Sequence, residues 1–208
     1  MFSRIWFVIL LILQIGFSEN DTESWNSVGV ELKLPRSFAL GLEQELRLQN
    51  NFSTFKKTIT DMSLSYNAFD GFKLFIPLRY SLSQDKIKKR VSFGGSYKQN
   101  FKIINFKYRS KLQREYEQGK LVERIIRNKV TVDKRFNKKL KPFIAVEIFH
   151  SLKNDQYEND EYRISVGTSF NLSKKNKLKI FYTYKCEGLT KLNREIVNIV
   201  GFGHTISF

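Results

Sequence analysis

Apolar and polar residues alternate along almost the whole chain with the period of two that marks a β-strand. Residues 200–208 show this pattern clearly, with large side chains on one face and mainly small ones on the other. Residues 38–48 keep one face apolar over about eleven residues, close to the ~9–11 that a tilted strand needs to cross a bilayer. No stretch beyond residue 18 sustains a helical period. The pattern therefore predicts a structure made almost wholly of strands.

Short turn signals recur at similar intervals. They centre near Arg36, Asp70, Asn100, Lys138 and Lys174. With Phe208 as the last boundary, the intervals are 34, 30, 38, 36 and 34 residues, and each holds two strand patterns and one longer polar connection. Such a layout predicts an all-β fold, a single antiparallel transmembrane β-barrel with short periplasmic turns and longer extracellular loops. Residues 28–34 precede the first turn and leave the strand number open, at about 10–12.

Aromatic residues gather beside the short turns and the carboxyl terminus. The set is Phe38, Tyr66, Phe72, Tyr97, Phe170 and Phe208. On a membrane barrel these rings form a girdle at the periplasmic interface, between acyl chains and water. In a soluble sheet, the alternative interpretation, they would be core residues, but a core does not need them at one end. The final strand also resembles the carboxy-terminal signature of bacterial outer-membrane proteins, whose last Phe is read by the barrel-assembly machinery.

The amino-terminal segment has the features of a secretory signal. Arg4 precedes an apolar run at residues 5–13, and Gly16 and Ser18 are small residues placed for cleavage before Glu19. We therefore predict a cleaved signal peptide at residues 1–18 and an outer-membrane barrel domain at residues 19–208. Residues 19–26, acidic and polar, indicate an exposed lead-in to the first strand.

The charge of the chain excludes some classes of function but does not select a single one. The formal net charge is +16, but the basic residues are spread singly, and residues 86–90 form the one dense block. This spread argues against nucleic-acid binding, which gathers charge on one patch. The charged residues on the predicted inward faces are Glu43, Glu45, Arg47, Asp61, Lys73, Arg79, Lys107, Arg109, Lys111, Arg127, Lys129, Asp133, Glu147 and Arg163.

Charges enclosed by a barrel must pair or stay hydrated. Two interpretations follow: a structural barrel closed by ion pairs, or a narrow pore biased toward anions by its excess of basic groups. Binding of an anionic ligand or lipid, including a lipid phosphate near residues 86–90, is a further alternative. The oligomeric state stays open.

The chain offers little for catalysis. Its two histidines are His204, on a predicted lipid face, and His150, which ends a strand beside a loop. His150 could act as a general base with Glu147 or Asp155 as its carboxylate partner, but nothing in the sequence marks a nucleophile. No phosphate-cradling loop and no Cys/His cluster appear, and the single Cys186 cannot form an internal disulfide. We predict no enzyme, no catalytic residue, no metal and no cofactor; a barrel enzyme acting on lipid is the remaining alternative.

Several strand motifs together resemble a known bacterial family. They are residues 41–47 (Gly-Leu-Glu-Gln-Glu-Leu-Arg), Tyr108-Arg109, residues 127–129, residues 142–147 and Tyr162-Arg163. The family is that catalogued as domain of unknown function 2490, and the resemblance covers nearly the whole mature chain. The resemblance implies a small barrel of unassigned activity in outer-membrane lipid, and it carries over no functional residue. The signal segment predicts export through the periplasm to that membrane.

Overall fold

The computed structural model describes residues 21–137, 139–153, 156–190 and 192–208. The predicted signal segment 1–18, the turn residue Lys138 and the candidate base partner Asp155 lie outside these ranges. The strands are β1 (Thr22–Lys33), β2 (Phe38–Gln49), β3 (Thr54–Phe69), β4 (Phe72–Ser83), β5 (Ile87–Asn100), β6 (Ile104–Glu117), β7 (Lys120–Lys134), β8 (Leu140–Lys153), β9 (Gln156–Asn171), β10 (Asn176–Glu187) and β11 (Glu195–Ser207). Among the described residues, no helix is long and apolar enough to cross a membrane.

The described strands form one closed barrel of eleven, which confirms the all-β prediction and its range of strand numbers. Each strand pairs antiparallel with its neighbour in sequence, and β1 closes the barrel by pairing parallel with β11. The register of this closing seam runs from Thr22 opposite Asn198 to Glu31 opposite Ser207. The parallel pair follows from the odd number, because strands of alternating direction leave the first and last running the same way.

The prediction of an exposed lead-in at residues 19–26 is wrong from Thr22 onward. Thr22 begins β1, and the residues Glu23 and Trp25 are 0% and 8% exposed. The acidic composition was misleading because the inner face of a barrel is itself polar. Since β1 starts at the rim opposite Phe208, the two ends of the barrel chain lie on opposite rims.

The outer wall carries an apolar band. Leu42, Met62 and Leu112 are 50%, 50% and 54% exposed, although each lies in the middle part of a strand. A continuous exposed apolar surface of this kind costs free energy in water and is favourable in lipid. The outside of the barrel therefore has the surface of a membrane-spanning fold.

The barrel has two rims. The turn rim comprises the connections at 34–37, 70–71, 101–103, 135–137 with 139, and 172–175, together with Phe208. The loop rim comprises the connections at the other strand ends, including 50–53, 84–86, 118–119, 188–190 and 192–194, together with the start of β1. The predicted girdle residues lie near the turn rim: Phe38 packs against Tyr66 with ring centroids 4.8 Å apart and ring planes tilted by 35°, and Phe72 stacks on Phe69 at 4.7 Å. Tyr97 and Phe170 lie near the ends of β5 and β9, and Phe208 directly follows β11.

The polar stretches that separate the strands in sequence are in large part strand themselves. Residues 54–57 belong to β3 and residues 87–89 belong to β5, so these hairpins continue past the apolar band. A hydrogen-bonded ladder satisfies backbone groups in water as well as in lipid, so the change from apolar to polar side chains does not end a strand. The Asp70–Gly71 turn signal is confirmed, and Gly71 adopts φ 74°.

Candidate functional site

Two cavities lie in the lumen that the described residues enclose, and we call them the loop chamber and the turn chamber. The loop chamber measures about 930 Å³ and reaches the loop rim, whereas the turn chamber measures about 240 Å³ and lies toward the turn rim. Four basic side chains line both chambers: Arg109, Lys129, Lys177 and Lys179. These four residues define the waist, where the chambers meet.

In the part of the loop chamber nearest the loop rim, the buried carboxylate of Glu23 accepts hydrogen bonds from neighbouring side chains. Glu23 accepts hydrogen bonds from Trp25 Nε1 at 2.7 Å and from Lys56 Nζ at 2.5 Å. Lys185 Nζ lies 3.8 Å from the same carboxylate and 3.0 Å from Oε1 of Glu187. The charge of Glu23 is thereby compensated, as burial requires.

Other charges of the loop chamber also pair locally. Arg79 donates from Nε to Asp61 Oδ1 at 2.9 Å and from Nη2 to Oδ2 at 2.5 Å, in the forked geometry that guanidinium groups favour. Lys88 Nζ donates to Glu115 Oε1 at 2.8 Å. Further pairs in this chamber are Arg47 with Glu45, Arg90 with Glu115, and Arg163 with Glu161.

Aromatic rings hold several guanidinium groups against the wall. The Arg47 Cζ atom lies 3.5 Å from the Trp25 ring centroid, and Arg127 Cζ lies 4.2 Å from that of Phe149. Arg163 bridges the two rings, at 5.1 Å from Trp25 and 4.5 Å from Phe149. Stacking of this kind fixes where a positive charge stands without neutralising it.

At the waist, one carboxylate faces several cations. Glu147 Oε1 accepts hydrogen bonds from Arg109 Nη2 at 2.8 Å and from Arg127 Nη2 at 2.9 Å and Nε at 3.1 Å. Lys129 Nζ lies 3.7 Å from the other oxygen of Glu147. The one negative charge of Glu147 thus faces the three positive charges of Arg109, Arg127 and Lys129, so the waist keeps a net positive charge.

The turn chamber is more strongly cationic. Its basic lining residues are Lys107, Arg109, Lys129, Lys141, Lys177 and Lys179, and its acidic one is Asp133. Asp133 is already occupied, because its Oδ1 accepts from Asn105 Nδ2 at 2.6 Å and lies 2.9 Å from Lys141 Nζ. Within the part of the chain that the structure describes, Lys107, Lys177 and Lys179 form no ion pair.

The structure places most of the sequence-predicted inward residues along the two chambers. Those lining a chamber are Glu43, Glu45, Arg47, Arg79, Lys107, Arg109, Arg127, Lys129, Asp133, Glu147 and Arg163. Asp61 binds Arg79 beside the loop chamber, and Lys73 Nζ lies 3.8 Å from Glu31 Oε1. Lys111 stands opposite Arg127 in the β6–β7 register.

Sequence reasoning missed several lining residues. Lys177 and Lys179 of the waist alternate with the apolar Leu178 and Ile180, so strand parity alone could have identified them. The dense basic block is also divided between faces: Lys88 and Arg90 point inward to Glu115, while its other members lie outside the chambers.

The described residues hold no group of three His, Cys, Asp or Glu side chains that could bind a metal ion. His150 stands opposite Ile126 on the outer face of β8, whereas Glu147 faces the lumen. The candidate base and its carboxylate are thus on different faces. The absence of enzymatic function stays a prediction.

A family model and a solved porin structure agree with this architecture. A family model described as "Protein of unknown function (DUF2490)" matches residues 22–194, which confirms the resemblance seen in the sequence. No curated protein matches the chain significantly. A solved structure described as NanC porin is similar with a TM-score of 0.53 at 11% identity, over 79% of this chain and 86% of that one. An anion-selective porin from Comamonas acidovorans gives a TM-score of 0.41 at 11% identity, over 84% of this chain and 54% of that one.

Proposed function

The chain belongs to the DUF2490 family of proteins of unknown function, and on that premise we propose that it forms a narrow passage for small anions in the outer membrane. The observation that carries the proposal is the waist, where Arg109, Lys129, Lys177 and Lys179 line both chambers. Any solute that moves from one chamber to the other passes these four basic side chains.

The distribution of paired and unpaired charge supports anion preference. In the loop chamber, carboxylates such as Glu115 and Glu161 are bound to nearby basic groups, so this region is close to balanced. In the turn chamber, the basic residues outnumber Asp133, and that carboxylate is already paired. A charged constriction with low-dielectric walls raises the local concentration of counter-ions, and here these are anions.

Passage also requires that binding be weak enough to release the ion. The waist meets this condition because Glu147 offsets part of the charge of Arg109 and Lys129. Lys177 adds a single charge on a flexible stem. Lys179 Nζ lies 4.7 Å and 4.8 Å from the ring centroids of Phe143 and Phe181, which position its charge without neutralising it. The arrangement therefore supports transient contacts with small anions.

Location in the outer membrane is part of the proposal. It is supported by the exposed apolar band, by the aromatic side chains beside the turn rim, and by the signal-like sequence of residues 1–18. Outer-membrane lipid and, during insertion, the barrel-assembly machinery are the partners that this location implies.

The proposal predicts anion-selective conductance in planar bilayers, read from the reversal potential across a KCl gradient. Lys129→Gln together with Lys179→Gln should reduce the anion-to-cation permeability ratio roughly fivefold for each of the two charges removed, since a unit charge at about 4 Å in water contributes about 1 kcal/mol. The matched control is Lys120→Gln with Lys134→Gln, which removes two exposed charges that line neither chamber.

The control should keep the selectivity of the unmodified protein. A correctly folded barrel that leaves the bilayer silent would refute the passage. That result would favour the second candidate function, a structural barrel closed by ion pairs such as Arg79 with Asp61 and Arg127 with Glu147.

A further inference from the structure

Three cationic side chains lie next to one another on the outer wall near the loop rim: Lys89 of β5, Arg114 of β6 and Arg124 of β7. All three are exposed. Arg114 stands directly opposite Arg124, and Lys89, whose register partner is Tyr116, is diagonal to Arg114. Cβ atoms of directly opposed residues lie about 4.5–5.5 Å apart, and diagonal neighbours about 7–8 Å. We call this group the outer cationic patch.

The charges of the patch are not compensated by any acidic side chain that the structure describes. Among the described residues, no carboxylate forms an ion pair with Lys89, Arg114 or Arg124. The acidic residues of the same hairpin, Glu115 and Glu117, are bound by Lys86, Lys88 and Arg90 instead. Like charges placed directly opposite one another destabilise a sheet. The Arg114–Arg124 pair therefore gains stability when an anion binds between the two groups.

The height of the patch on the wall indicates what that anion is. Two residues nearer the turn rim on β5 and β6 stand Val91 and Leu112, which are 48% and 54% exposed and belong to the apolar band. Tyr80, the cross-strand partner of Lys89, is 41% exposed. The patch lies within five residues of the loop-rim ends of β5, β6 and β7, and the outward residues beyond it, Ile87 and Val122, are again apolar and are 45% and 49% exposed. Long basic side chains at that height of a membrane barrel extend along the apolar surface and place their charges among the lipid headgroups.

We propose that the outer cationic patch binds the phosphate of a membrane lipid in the leaflet at the loop rim. Two opposed guanidinium groups offer forked donors that match phosphate oxygens, and Lys89 adds a third charge. On β4, the corresponding outward position is Tyr80, and on β8 it is Leu152, so the cationic surface is limited to three adjacent strands. The site faces away from the lumen and is independent of the proposed anion passage.

The test uses the purified full-length barrel in neutral detergent, titrated with dioleoyl phosphatidic acid and followed by native mass spectrometry. Dioleoyl phosphatidylcholine, which has the same chains and a zwitterionic headgroup, is the lipid control. The variant Arg114→Gln with Arg124→Gln should bind phosphatidic acid about tenfold more weakly, because the loss of charged donors removes the strongest hydrogen bonds to phosphate. The matched variant Lys120→Gln with Arg194→Gln removes two exposed charges near the same rim and should bind like the unmodified protein.

A second measurement guards against a folding defect. Without lipid, the Arg114→Gln, Arg124→Gln variant should unfold at a temperature no lower than the unmodified barrel, since a like-charge contact is removed. Phosphatidic acid should raise the unfolding temperature of the unmodified barrel more than that of the variant. Equal affinity in all three proteins, equal binding of phosphatidylcholine, or displacement of the lipid by an equal concentration of inorganic phosphate would each overturn the lipid site. Silent bilayers in the conductance experiment would not bear on it.

Discussion

Glu147 is the carboxylate that holds the neighbouring basic side chains at the waist together. It is 4% exposed and lies within 3.7 Å of Arg109, Arg127 and Lys129. Removal of one partner from a buried ion network leaves uncompensated charge, which costs more than the network itself contributes. The three basic groups would then repel one another at close range.

We therefore expect Glu147→Gln to lower the free energy of unfolding by about 2–3 kcal/mol, because glutamine keeps the volume and loses the charge. Urea unfolding in detergent, followed by the fluorescence of the lumen residue Trp25, measures the change. Glu195→Gln, at an exposed residue that forms no ion pair within the described part of the chain, should be near neutral. Equal stability of the two variants would show that Glu147 does not hold the waist together.

The element that distinguishes this barrel is the parallel seam between β1 and β11. A Cβ atom added at Gly203 would lie 3.2 Å from Ser27 Oγ, so these two positions are close enough to bridge. Ser27→Cys with Gly203→Cys, in a background where Cys186 is replaced by Ser, should form an intramolecular disulfide on mild oxidation.

The crosslink is read as a mobility shift of the unfolded monomer that reverses with reductant. The off-register pair Ser27→Cys with Thr205→Cys serves as control, because Ser27 pairs with Gly203 and Thr205 pairs with Gly29. Preferential crosslinking of the control pair would mean that the seam has another register.

The alternation of side chains along the strands made much of the fold predictable, but it did not reveal the buried Glu23 or the waist. The alternation of Leu42 with Glu43 defines inner and outer faces from sequence alone, because successive side chains of a strand point to opposite sides. The burial of Glu23 was not predicted because the acidic sequence around it resembles a solvated segment, although Glu23 is fully buried in the barrel. The waist could not be derived, since it joins side chains of β6, β7 and β10 across the lumen, and no local pattern encodes that proximity.

At the scale of the whole molecule, the odd strand number places the start of β1 and Phe208 at opposite rims. An epitope inserted directly before Thr22 should therefore be accessible on intact cells, as should one inserted at 118–119 on the loop rim. An epitope at 172–175, on the turn rim, should become accessible only after the outer membrane is opened. Antibody labelling of intact and permeabilised cells measures this. Labelling of the 172–175 epitope on intact cells, together with protection of the one before Thr22, would reverse the orientation.

The unequal chambers make the barrel electrically asymmetric along its axis. The unpaired positive charge of Lys107, Lys177 and Lys179 stands toward the turn rim, whereas the larger chamber on the other side is nearly balanced. In the proposed passage, one polarity of applied voltage drives anions from the wide chamber into the cationic end and enriches them there, and the other polarity depletes them. Such a pore rectifies, as a diode does: it carries anion current across the membrane more readily in one direction than in the other.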